Sequence, residues 1–136
     1  MTVSLHAGPE SFEVGAGSFF NSFFSTVSAR LENDRWGSRF PAIMKGLFPG
    51  RLPADAIPVA LAELRSIRQE FARLQPDALV WDYEDRTKGP PWGKQRAGYI
   101  TTLAENFVTS DGKDLFEVIK AALETAASRN CDVEIK

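Results

Sequence analysis

Polar and apolar side chains alternate from the start of the chain. Over Thr2–Ala7 the apolar positions are Val3, Leu5 and Ala7, which is the period of a half-buried strand. Gly8-Pro9 interrupts the pattern, and Phe12 and Val14 alternate with Ser11 and Glu13 as a second short strand. The period then changes. Phe19, Phe20, Phe23, Phe24, Val27 and Leu31 recur at three and four residues and predict a core-facing helix over 18–32. Ser18 is its N-cap candidate, and Asn21, Ser22, Ser25 and Ser28 fill the rest of its circumference.

After a loop at Asn33-Asp34-Arg35-Trp36-Gly37-Ser38, Pro41 is placed to open a short helix running to Leu47, which Pro49-Gly50 ends. The longest helix is expected from Pro53–Asp55 onward. Asp55 is positioned to cap it, Pro58 is tolerated in its first turn, and Ile57, Ala60, Leu61, Leu64, Ile67, Phe71 and Leu74 form its buried stripe before Pro76 stops it. The apolar run Ala78-Leu79-Val80-Trp81 reads as an interior strand reaching Tyr83, and residues 84–95 as a long polar, Pro- and Gly-rich loop. Over 99–108 the signals are mixed and favour a helical turn followed by a short strand. Ser110-Asp111-Gly112-Lys113-Asp114 then leads into a capped helix with Leu115, Phe116, Ile119, Ala122, Leu123 and Ala126 inward; Arg129-Asn130 closes it. Cys131, Val133 and Ile135 alternate as a final strand. These elements predict one α+β domain over 1–136, with a small, mainly antiparallel sheet and three to four helices packed on one face.

Composition narrows the functional classes. The 136 residues are 43% hydrophobic and 25% charged, as in globular chains, and the formal net charge is −2. Phosphate backbones are bound by clustered Lys and Arg. Here Arg65, Arg68 and Arg73 are spread along one helix with Glu63 and Glu70 among them, so that face reads as solvated and nucleic acid is not an expected partner. Neither a secretory leader nor an apolar run of ~20 residues is visible, so membrane association is not expected and the cytoplasm is the expected location. With one cysteine, Cys131, thiolate-rich zinc sites are excluded.

Candidate chemistry is sparse. His6, the only histidine, is a candidate base or ligand but reads as a surface residue of a terminal strand, and Cys131, the only thiol, reads as a small apolar filler at the head of the last strand. Val14-Gly15-Ala16-Gly17-Ser18 resembles a phosphate-binding turn but lacks the third glycine of a dinucleotide fingerprint and the Lys-Ser/Thr of a P-loop. The acidic group Asp82, Glu84 and Asp85 is the best candidate site. On a strand, Asp82 and Glu84 would share one side. Such carboxylates can hold Mg²⁺ in a small metal-dependent hydrolase, form a protein-binding surface, or simply be solvated beside Arg86 and Lys88. Trp36 and Trp92 each precede a glycine in a polar loop, where tryptophan either anchors an interface or folds back over the core. Pro90-Pro91-Trp92-Gly93 presents its ring at reduced entropic cost.

Four segments together resemble a known family. They are Gly17-Ser18-Phe19-Phe20 with Ser28-Ala29-Arg30-Leu31-Glu32; Arg35-Trp36-Gly37-Ser38-Arg39-Phe40-Pro41; Val80-Trp81-Asp82 with Pro90-Pro91-Trp92-Gly93; and residues 106–116, Asn106-Phe107-Val108-Thr109-Ser110-Asp111-Gly112-Lys113-Asp114-Leu115-Phe116. In this order they are similar to the family catalogued as Immunity protein 70, from bacterial polymorphic-toxin systems. The resemblance implies a non-enzymatic α+β domain without a cofactor. Its partner would be the toxic C-terminal domain of a secreted effector, bound in the cytoplasm of the producing cell by a monomer or homodimer. It carries over no toxin-contacting residues. The partner surface expected from the residues themselves is Asp82, Glu84 and Asp85 with Trp92 and Trp36. An adaptor or dimerisation domain is the non-enzymatic alternative.

Overall fold

A computed structural model describes residues 2–89 and 102–136. Strands β1 (Thr2–Ala7) and β2 (Glu10–Ala16) form a hairpin in which Ala7 pairs with Glu10, leaving Gly8-Pro9 as a two-residue turn; Gly8 sits at a φ of 64°, which glycine adopts without strain. With β3 (Arg51–Leu52) and β4 (Val133–Ile135) they make an antiparallel sheet in the order β2-β1-β4-β3. The alternation fixes which face is buried: Leu5, Ala7, Val14, Leu52 and Val133 are fully inaccessible. Helices α1 (Gly17–Leu31) and α3 (Leu115–Arg129) pack over that face, and α2 (Ile57–Phe71) packs against α3 and α1. A single wide π-helical turn, Ala42–Leu47, follows Pro41 where the short helix is expected. The fold is the α+β arrangement predicted from the pattern.

The centre of the core is a ring cluster drawn from four segments. Phe23 on α1 meets Phe107 and Phe116 with centroids at 5.5 Å, Phe24 at 5.4 Å and Phe71 at 6.1 Å. The inward stripe of α1 therefore supplies a hub, at about 25 cal/mol per Å² of apolar surface buried, and ring pairs at these spacings add to that burial.

Helix α1 is also buried where its polar residues lie. Ser22, Ser25, Thr26 and Ser28 are all inaccessible. The cover includes residues 78–83, which do not form the expected interior strand. The backbone groups of that segment pair with side chains of α1 instead. Val80 donates its N–H to Thr26 Oγ1 at 3.0 Å, and Tyr83 donates its N–H to Ser25 Oγ at 3.0 Å. A helix that offers hydroxyls along one side satisfies an extended chain without a strand partner.

The caps differ from expectation at two places. Ala16, not Ser18, is the N-cap of α1, and no side chain caps that helix. Asp55 lies inside a 3₁₀ turn, Ala54–Ala56, which feeds into α2 with Ala56 as N-cap. The missing caps follow from the residues that fall at those positions: Ala16 and Ala56 carry no side-chain oxygen to accept a first-turn N–H. Helix α3 behaves as its turn predicts: Asp114 accepts the N–H of Phe116 at 2.9 Å, and Asn130 ends the helix in the left-handed conformation. Residues 104–106 form a 3₁₀ turn and Val108 makes a single bridge to Asp114, which is the turn and the remnant of the strand expected there.

Candidate functional site

The loop after α1 is built around a buried carboxylate. Glu32 is 2% exposed, and its two oxygens accept the N–H groups of Gly37, Arg39 and Phe40 at 2.9, 2.9 and 3.0 Å. Gly37 occupies φ 79°, a conformation that glycine permits. Arg39 grips Glu70 of α2 with both terminal guanidinium nitrogens, at 2.9 and 2.7 Å. Glu63 of α2 then accepts the N–H groups of Ala42 and Ile43 at 3.2 and 2.9 Å, capping the π-helical turn. Glu63 is therefore not on a solvated helix face as its arginine neighbours suggest. Burial raises its pKa, against the opposing effect of the two N–H groups, and the nearby Glu32 charge raises it further. The segment Arg35-Trp36-Gly37-Ser38-Arg39-Phe40-Pro41 is thus held by buried and bidentate polar contacts, which is a structural role.

This scaffold positions Trp36. Its indole N–H donates to the carbonyl of Met44 at 2.9 Å, and the half-buried ring packs on the core. Its outer contacts continue as an aromatic row: Trp36 meets Phe48 at 4.8 Å and Tyr83 at 5.2 Å, and Phe48 meets Phe24 at 5.0 Å. Tyr83 is anchored by its hydroxyl, which donates to the carbonyl of Asp34 at 2.7 Å; Arg86 lies over its ring at 5.3 Å and pairs with the Asp34 carboxylate. Phe48 is 38% exposed, unusual for a large apolar side chain among the described residues.

An open groove of about 370 Å³ runs along this row. The described residues that line it are Asn21, Trp36, Phe48, Asp82, Tyr83 and Glu84. The structure thus brings Trp36, Asp82 and Glu84 together, although not through a shared strand face. Asp82 Oδ1 accepts the N–H of Glu84 at 3.0 Å in a local turn, and Asp82 Oδ2 lies 3.6 Å from the ammonium of Lys88. Asp85 is not among the lining residues. The Thr87 hydroxyl and N–H donate to it and, with Lys88 nearby, hold its carboxyl below the usual carboxylate range. Trp92 lies outside the described residues. Phe48, Tyr83 and Asn21 are groove residues that the sequence reading did not single out. Phe48 was hidden as the residue before a Pro-Gly terminator, and Tyr83 as the end of an expected strand.

The remaining candidates are placed without a constellation. His6 is half-buried on β1, opposite Ser11 and Glu134, and Cys131 is half-buried against the core. Among the described residues no group of three His, Cys, Asp or Glu is arranged to hold a metal ion, and no helix is long and apolar enough to cross a membrane. What the groove offers is recognition: apolar ring surface edged by carboxylates.

No curated protein and no solved structure matches the chain. A family model described as Immunity protein 70 matches residues 5–135, which takes in all of the sheet but the first residues of β1, together with the phenylalanine hub, the Glu32-centred loop and the acidic groove. On that match the chain belongs to the Immunity protein 70 family.

Proposed function

We propose that this protein is the inhibitor of a cognate bacterial toxin, binding the toxic domain one-to-one and blocking it by occlusion, in the cytoplasm of the cell that makes both. The observation that carries the reading, beside family membership, is the groove, where exposed aromatic surface and carboxylates adjoin. Aromatic side chains supply much of the energy of protein interfaces, and a standard interface needs only about 800 Å² from each partner. Toxin domains that act on nucleic acids need basic surfaces. Carboxylates at the rim of an aromatic patch would accelerate capture of such a surface by electrostatic steering.

The test is co-expression with the toxin domain encoded immediately upstream. Restored growth together with co-purification of the two chains is the expected result. A toxin that stays lethal and does not co-purify would sink the reading. An adaptor or dimerisation domain would show no such pairing of genes.

A further inference from the structure

We infer that the groove lined by Trp36, Phe48, Tyr83, Asn21, Asp82 and Glu84 is a receptor for a single arginine side chain of the partner protein. The inference rests on the toxin-binding reading for the identity of the partner, and on the groove's own chemistry for the side chain. Three guanidinium groups among the described residues lie over aromatic rings: Arg39 over Phe40 at 4.8 Å, Arg68 over Phe116 at 5.8 Å and Arg86 over Tyr83 at 5.3 Å. Each is also ion-paired, with Glu70, with Asp114 and Glu117, and with Asp34 respectively. Ring, carboxylate and guanidinium thus recur as a unit in this protein.

At the groove's Tyr83 the unit is complete, since Arg86 lies over that ring; Trp36, Phe48 and Glu84 repeat its first two parts without a guanidinium. Trp36 and Phe48 provide ring surface, and Phe48 is exposed. The ionised side chains lining the groove are both carboxylates. Asp82 is already engaged by the Glu84 N–H and by Lys88, whereas the Glu84 carboxylate and the Asn21 amide take no described side-chain partner. Glu84 therefore supplies the negative charge and Asn21 a carbonyl acceptor. A guanidinium meets both demands together: its flat face stacks on aromatic carbon while its edge donates several hydrogen bonds. A lysine ammonium is a point charge and strongly hydrated, so it gains less from the rings.

The test uses the intact chain with N-acetyl-arginine methylamide as probe, read by NMR shifts of the Trp36 indole and the Phe48 and Glu84 amides. The lysine counterpart and the uncharged citrulline counterpart serve as controls. Saturable shifts from the arginine probe are expected, weaker from lysine and absent with citrulline. Glu84→Gln, at an exposed position, should weaken binding roughly two- to fivefold, in line with an exposed ion pair. Phe48→Leu should weaken it as well while keeping the site apolar. No saturable shift, equal shifts from citrulline, or undiminished binding by Glu84→Gln would overturn the inference. Capture of the upstream-encoded toxin domain by a chain that ignores the probe overturns the groove but leaves the proposed function standing. Probe binding without toxin capture does the reverse.

Discussion

Thr26 and Val80 are joined through one hydroxyl, which accepts the Val80 N–H at 3.0 Å and also lies 3.1 Å from the Val80 carbonyl. The same hydroxyl donates to the Ser22 carbonyl at 2.7 Å, so its proton is shared between two acceptors. Both residues are buried, and the contact fixes the segment that carries Asp82, Tyr83 and Glu84 against α1.

Thr26→Val keeps the shape but leaves the Val80 backbone without its partner. The expected loss is about 1–3 kcal/mol, the usual cost of an unpaired buried polar group. Thr26→Ser should retain most of the stability. Urea unfolding midpoints measure the difference, and faster hydrogen exchange at the Val80 amide would localise it.

Glu32 is the second fixed point. Its carboxylate serves three N–H groups, and glutamine offers one acceptor oxygen in place of two. Glu32→Gln should cost on the order of 3 kcal/mol, because a buried charge-assisted network is broken. Thermal unfolding measures it. A change within ±0.5 kcal/mol would contradict the role assigned to the loop.

Glu63 makes stability depend on pH in a direction opposite to most carboxylates. Its folded pKa is raised above the ordinary glutamate value, mainly by burial, so the folded state holds the proton more tightly than the unfolded chain. The stabilisation from this group is complete below the ordinary glutamate pKa of the unfolded chain and is lost as pH rises through the raised folded value. The stability of the wild-type chain relative to Glu63→Gln should therefore fall across that window. Denaturant titrations of both proteins at a series of pH values test the sign.

The rim carboxylates should act on association more than on stability. If the proposed toxin partner docks here, reversing Asp82, Glu84 and Asp85 together to lysine is expected to slow its binding and flatten the dependence on salt, because the local electrostatic attraction is removed. Thermal stability should fall only modestly: the Asp82–Lys88 contact is a partly solvated surface pair, and the lost acceptors for the Glu84 N–H and for Thr87 lie in an exposed turn. Association rates at low and high ionic strength are the measurement. Unchanged rates at low salt would place the partner surface elsewhere.

The pattern of side chains along the chain determined the elements whose stabilisation is local or periodic. The two strands broken at Gly8-Pro9, the stripe of α1, the short helix opened by Pro41 and the Asp114-capped α3 follow from spacing and turn chemistry within a few residues, although the π winding of the Pro41 turn does not. Asp82, Glu84 and Trp36 were visible as unusual residues for the same reason. Their meeting around one groove was decided only in three dimensions. Residues 78–83 carry a strand's apolar run, yet hydroxyls of Ser25 and Thr26, more than 50 residues away in the chain, pair with their backbone first. Glu63 resembles its solvated neighbours in sequence and is buried because the π-helical turn needs acceptors for two N–H groups. Periodicity records which side of an element faces inward. It does not record which distant backbone group will find a partner there, and in this protein that choice sets where the carboxylates and rings of the groove come to lie.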